Sequence, residues 1–207
     1  MNSRTSLQKM VGMALLVLLA ACAAPSPPPT PTPVPTATPS PTPTPIPLSE
    51  IDLEPILILP GDLPAGFSGA QIRDVLPEMF ATLPDSDNQI YQQFERNGRA
   101  AGGVAVMLYE SSDDIDGAYS LLLEGFGEPS NEAGITVERQ AVPDVGEQAE
   151  TVTIEGTLLG VTLDSVDLAF IRCSAVVHIR LVGTALLAEA SSYARRLDER
   201  LAGLVCR

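Results

Sequence analysis

The 207-residue chain has room for one ordinary domain plus non-globular segments, and its 19 prolines, about twice the usual share of about 5%, point to such segments. Its formal charge of −14, from 12 basic and 26 acidic residues, repels phosphate backbones and sets nucleic-acid binding aside. Lys9 is the one lysine and His178 the one histidine, so Schiff-base chemistry has almost no support and histidine-dependent catalysis hangs on a single residue.

The first 21 residues read as an export signal. Arg4 and Lys9 make the start positive, and Met10 to Leu19 is an apolar run long enough for a secretory segment but too short to cross a bilayer. Leu19-Ala20-Ala21-Cys22 resembles the lipobox of bacterial lipoprotein precursors. That resemblance implies cleavage before Cys22 and attachment of diacylglycerol, with palmitate-type acyl chains, to its thiol. The expected location is the extracytoplasmic face of a membrane, or the outer membrane where the organism has one, since residue 23 is alanine rather than aspartate. An ordinary cleaved signal is the alternative. Two or three acyl chains, at about 0.8 kcal/mol per buried CH₂, anchor a domain stably. Cleavage would leave 10 basic residues against 26 acidic ones and a mature chain without lysine.

Residues 24 to 47 hold 12 prolines in 24 positions, mostly in Thr-Pro and Ser-Pro pairs, with no charge and no aromatic ring. Such a stretch cannot bury a core and is expected to be disordered. It favours polyproline II at about 3.1 Å per residue, a reach on the order of 70 Å. A spacer is the expected role of the segment 22–47, and O-glycosylated threonines or a proline-rich docking site are alternatives.

Residues 48–207 are expected to form a single domain. Ile56 to Leu59 is a short apolar run closed by Pro60-Gly61, and Leu63 to Phe67 reads as a turn with an anchoring aromatic. Gly69 to Phe80 is expected to be helical and broken near Pro77. Ile90 to Arg96 has strand character, Asn97-Gly98 is a hairpin signal, and Gly103 to Glu110 supplies the return strand. Ser111 and Ser112 followed by Asp113 and Asp114 predict a helix start, with Ile115, Ala118, Tyr119, Leu122 and Phe126 as its buried stripe.

Strands are expected over Ile135 to Gln140 and Glu150 to Leu163, with a loop at Pro143 to Glu147. A second strand pair, Val166 to Arg172 and Ala175 to Val182, turns at Cys173-Ser174 and leads to a helix from Thr184 to Val205. In that helix Leu187, Ala190, Ala194, Leu197, Leu201 and Leu204 form the apolar face, and Arg195, Arg196, Asp198 and Glu199 lie elsewhere. The expected class is α+β, an antiparallel sheet covered by helices in which the order ββα occurs twice.

The run from Asp144-Val145-Gly146-Glu147-Gln148-Ala149 through the Phe170 to Leu181 hairpin and the last helix resembles extracellular sensor domains of actinobacterial receptor kinases and related lipoproteins. This likeness covers about 65 residues and implies binding of an envelope ligand, without carrying over a binding residue.

Cys173 and Cys206 form an even pair in an exported domain, which favours a disulfide. From Cys173 the strand runs away about 25 Å and the helix returns about 30 Å, so the two sulfurs meet. Two free thiols are the alternative.

His178 alternates with Val177 and Ile179, which places it on the face of Val176 and Arg180, toward solvent or a helix edge. Asp85-Ser86-Asp87-Asn88 and Asp113 to Asp116 carry clustered carboxylates, but Ile90 stands where a calcium loop needs glycine and Arg96 where it needs the closing glutamate. A solvated turn and a helix cap are the expected roles. Nucleophile-elbow, phosphate-loop, dinucleotide and paired-cysteine motifs are absent from the sequence. The reading that follows has no catalytic residue, no metal and no cofactor. It describes a membrane-anchored, non-catalytic module for a small ligand or envelope protein, with an accessory subunit of an envelope complex and a hydrolase as the alternatives.

Overall fold

The computed structural model describes residues 46–207, apart from 58–61, 64, 65, 128, 129, 133, 159, 184–186 and 207. The export segment, Cys22, nearly all of the stalk, the second half of the Ile56 to Leu59 run and Thr184 lie outside the described residues.

The first half is built on a three-strand meander. Strand β1 (Phe67–Arg73) pairs antiparallel with β2 (Asn88–Arg96), which turns back into β3 (Arg99–Leu108). Asn97 and Gly98 take φ values of 53° and 71°, the conformation a two-residue hairpin turn needs to match strand twist. Helix α1 (Ser112–Gly125) follows, and the Ser111 hydroxyl accepts the Asp114 N–H at 3.4 Å as its N-cap. The second half contains β4 (Ser130–Glu132), β5 (Ile135–Ala141), β6 (Gln148–Leu158), β7 (Val161–Thr162), β8 (Ser165–Arg172), β9 (Ala175–Val182) and helix α2 (Leu187–Val205).

Among the described residues these strands form an antiparallel sheet in the order β1-β2-β3-β9-β8-β6-β5-β4, with β7 paired to β6. The two halves join where β3 lies beside β9, Gly102 opposite Leu181 through Leu108 opposite Ala175. The α+β class holds, and the order ββα recurs as β2-β3-α1 and β8-β9-α2. The two helices take opposite faces of the sheet, because successive strand residues point to opposite sides. Val104, Val106, Leu168, Phe170, Val177 and Ile179 meet Tyr193, Leu197 and Leu201 of α2. Ala105, Met107, Ala169 and Val176 meet Ala118, Tyr119 and Leu122 of α1.

Three expectations are corrected. Gly69 to Phe80 is not a broken helix: β1 runs to Arg73, and only Glu78–Phe80 makes a single 3₁₀ turn. Pairing with β2, from Phe67 opposite Arg96 to Arg73 opposite Tyr91, overrides a local pattern too short to fix its own period. The run Glu150 to Leu163 is not one strand but β6 turning back into β7, with Gly160 at φ 80°. Asp198, expected off the apolar face of the last helix, is 6% exposed. It accepts two hydrogen bonds from Arg172 at the end of β8, and that bonding holds the guanidinium above its ordinary pKa.

The N-terminal segment packs on the α2 side. Ile51, Leu53, Ile56 and Leu57 are buried there, and Arg200 donates to the Leu57 carbonyl at 2.9 Å and to Asp62 at 2.6 Å. Asn88 donates to the carbonyls of Leu48 and Ile51 at 3.0 and 2.8 Å, fastening the same segment to the start of β2. Cys173 and Cys206 form a disulfide with Cα atoms 5.4 Å apart, closing the end of α2 onto the β8–β9 turn. Among the described residues no helix is long and apolar enough to cross a membrane.

Candidate functional site

A cavity lies on the α1 face of the sheet, under the end of that helix. On the α2 face, β3 and β9 present Val104, Val106, Val177 and Ile179, which fill the space to the helix. On the α1 face the same strands offer Gly103 and Ala105 across from Arg180 and His178, and β8 adds Ala169 beside His178. A hollow opens on this face over His178 and Arg180. It has a volume of about 240 Å³, large enough for a small ligand rather than for one or two waters.

Its floor is Ile154, Asp167, His178 and Arg180. Its walls are Leu121, Leu122 and Phe126 from the last turns of α1, and Met79, Phe80 and Leu83 from the segment around the 3₁₀ turn. Arg139 of β5 holds the helical wall in place by donating to the carbonyls of Leu123 and Gly127, each at 2.8 Å. The Leu123 carbonyl also accepts the Phe126 N–H, so Arg139 reinforces the end of α1 and offsets the negative end of its dipole.

Sheet register assembles the polar floor. Asp167 lies directly opposite Arg180, and Ala169 opposite His178, so the imidazole reaches Asp167 along the diagonal. His178 Nε2 is 3.0 Å from Asp167 Oδ1, which makes Nε2 the protonated donor to the carboxylate. Arg180 Nε lies 3.8 Å from the same oxygen. The imidazole is clasped between Phe80 and Phe126, ring centroids 5.4 and 5.3 Å away. Tyr91 lies over Gly103, where a Cβ would come within 2.5 Å of its hydroxyl. Burial raises the Tyr91 pKa above its ordinary value, while Arg73 and Arg180 pull the other way.

The expected face of His178, shared with Val176 and Arg180, is the observed one, and of the two surroundings expected, solvent or a helix edge, the structure shows the second. The residue is 2% exposed, because α1 and the Phe80 turn cover that face. The cavity and the role of Asp167 were missed in the sequence. No short-range pattern marks them, because the lining comes from separate strands, the end of α1 and the Phe80 turn.

An aspartate-paired imidazole is part of an acid–base constellation, but covalent hydrolysis also needs a nucleophile bonded to that imidazole. Among the described residues His178 hydrogen-bonds to Asp167, and the hydroxyl lining the cavity is Thr82.

The two acidic clusters have structural partners. Asp87 Oδ2 accepts the Glu110 N–H at 2.7 Å and joins the start of β2 to the end of β3, while Asp113 and Asp114 occupy the first turn of α1. Cys173 and Cys206 sit at the far end of α2, bonded to each other, and the Cys173 N–H donates to Glu147 at 2.9 Å.

The fold and this hollow define an antiparallel α+β domain with a polar-floored cavity under one of its two helices. No family model, curated protein or solved structure matches the chain.

Proposed function

We propose that the chain is an extracytoplasmic lipoprotein, tethered through acylated Cys22 and a proline-rich spacer, whose domain captures a small ligand. The observation that carries the binding part is the cavity beneath α1, with aromatic and aliphatic walls around a buried Asp167–His178 pair and the Arg180 guanidinium. Apolar walls with a few convergent polar groups are the usual make-up of a small-molecule site. The tether rests on the lipobox-like Leu19-Ala20-Ala21-Cys22 and the stalk, and the likeness to receptor-kinase sensor domains points the same way.

His178 is the one histidine, so its ring resonances report on the cavity without assignment work. Screening mixtures of small amphipathic compounds should find some that shift the His178 signals and raise Tm together, as a ligand that binds only the folded state must. A broad screen that leaves both unmoved overturns the reading. For the tether, labelled palmitate should be incorporated into the wild type and lost in Cys22→Ser, and a mature N-terminus elsewhere than Cys22 would overturn it.

A second reading, an accessory subunit of an envelope complex, draws on Ile72, Val75 and Met79, which are 47%, 72% and 56% exposed within one short segment. Ile72→Glu with Val75→Glu should then release the chain from that complex without lowering Tm. Release by this pair, with the cavity silent in the screen, would favour the second reading over the first.

A further inference from the structure

We infer that the cavity selects a small amphipathic monoanion, a carboxylate on an apolar body, and that the Arg180 guanidinium receives the carboxylate. The inference rests on the binding reading above and names its ligand class.

Of the charged groups at the floor, Asp167 is already engaged: its side chain is 4% exposed, bonded to His178 and close to Arg180 Nε. Arg180 is not. Its side chain is 41% exposed, and among the described residues it makes no hydrogen bond within the protein; the Asp167 oxygen 3.8 Å from Nε is its ion-pair partner. A guanidinium engaged only weakly at Nε keeps its terminal nitrogens for a planar, two-oxygen partner, and a carboxylate fits that fork.

The surroundings favour one negative charge rather than two. The guanidinium balances Asp167, so a monoanion brings the site to one net negative charge and a dianion to two, and each further unpaired charge beside the buried floor is costly. The C-terminal end of α1, whose dipole would oppose an anion, is covered by Arg139. Repulsion from the net charge of −14 acts at long range, yet at physiological salt it is screened beyond about 8 Å. Phe80, Phe126, Leu121 and Met79 receive the apolar body. A volume of about 240 Å³ suits a small molecule of one ring or a short chain rather than a polymer.

The test uses the full chain carrying Cys22→Ser, which leaves the domain intact and removes the lipid. Three probes of matched shape, phenylpropionate, phenylpropanol and phenylpropylamine, are titrated while the His178 ring signals are followed. Phenylpropionate should shift them saturably and bind about tenfold or more tightly than the alcohol. Arg180→Gln should lower acid affinity about tenfold or more and leave alcohol affinity unchanged, with Arg180→Lys restoring part of the loss. Tm and the ligand-free His178 signal of each variant show that the domain is folded.

If the alcohol or the amine shifts His178 and binds as tightly as the acid, the carboxylate class is overturned while cavity binding stands. Acid binding that ignores Arg180→Gln, or that leaves His178 unmoved, overturns the role of Arg180. If no probe of any charge moves His178, the ligand class fails, and the broader screen described above then decides whether cavity binding falls with it.

Discussion

At the residue scale, Asp167 and His178 form the polar pair most removed from water, 3% and 2% exposed. Asp167→Ala leaves the imidazole donor buried without an acceptor, so the variant should lose about 1–3 kcal/mol in urea unfolding, whereas Asp167→Asn, which keeps an oxygen in place, should lose less. Equal losses for the two would show that hydrogen bonding to His178 contributes nothing. Gly102 is a second sensitive residue. It takes φ 135° at the β-bulge between Phe94 and Glu95, and a Cβ there would come 1.9 Å from the Arg180 carbonyl oxygen. Gly102→Ala should cost at least on the order of 1–3 kcal/mol from backbone strain alone. It should also disturb β9 at Arg180, which the His178 resonance would register.

At the element scale, α1 matters for both stability and the site, because its last turns wall the cavity. Ser111→Ala removes the N-cap and should cost about 1 kcal/mol, read as a lower urea midpoint with unchanged slope. Arg139→Leu acts at the other end. It removes the side-chain donor to the Leu123 and Gly127 carbonyls, so hydrogen exchange should accelerate in the last turn of α1 and ligand affinity should fall, while exchange in α2 is unchanged. Helix α2 depends on a covalent tie instead. The disulfide closes a sequence separation of 33 residues, which in the chain-entropy model contributes roughly 3–4 kcal/mol. Replacing both cysteines by serine should lower stability by about that amount and leave Arg172–Asp198 as the polar contact holding the same end of the helix.

At the scale of the whole molecule, alkaline stability is set by the tyrosines. All four have pKa values raised by burial; Tyr109 and Tyr119 are pushed up to about 12, with Asp114 and Asp85 adding to the first and Glu150 to the second. A tyrosine raised on folding keeps its proton longer in the native state than in the unfolded chain, where it ionises near pH 10. Below that pH the contribution is fully present. It is lost as pH climbs from about 10 through about 12, since unfolding then releases protons. Tm should hold steady up to about pH 9.5 and fall steeply above about pH 10, with tyrosinate absorbance rising together with loss of structure. Tyrosinate appearing well before unfolding would refute the assignment.

Much of this fold is written in short-range chemistry. Asn97-Gly98 fixes a hairpin because its turn needs two positive φ values, Ser111 with its acidic neighbours starts a helix, and the spacing from Ala190 to Leu201 chooses the buried face of another. Such signals span a few residues and act before any distant strand arrives. Cys173 and Cys206 were legible as a pair for a similar reason: strand rise and helix rise alone bring them back together.

What the sequence could not decide were features that depend on neighbours far along the chain. Whether 67–73 becomes a strand depends on β2 offering it an edge, and whether Asp198 is buried depends on Arg172 arriving at the end of β8. The cavity is the clearest case. Ile154, Asp167, His178 and Arg180 come from three strands, and only the register of β6, β8 and β9 puts them on one face. Burial of a polar group is a property of what covers it, and the cover, α1 and the Phe80 turn, lies elsewhere in the sequence.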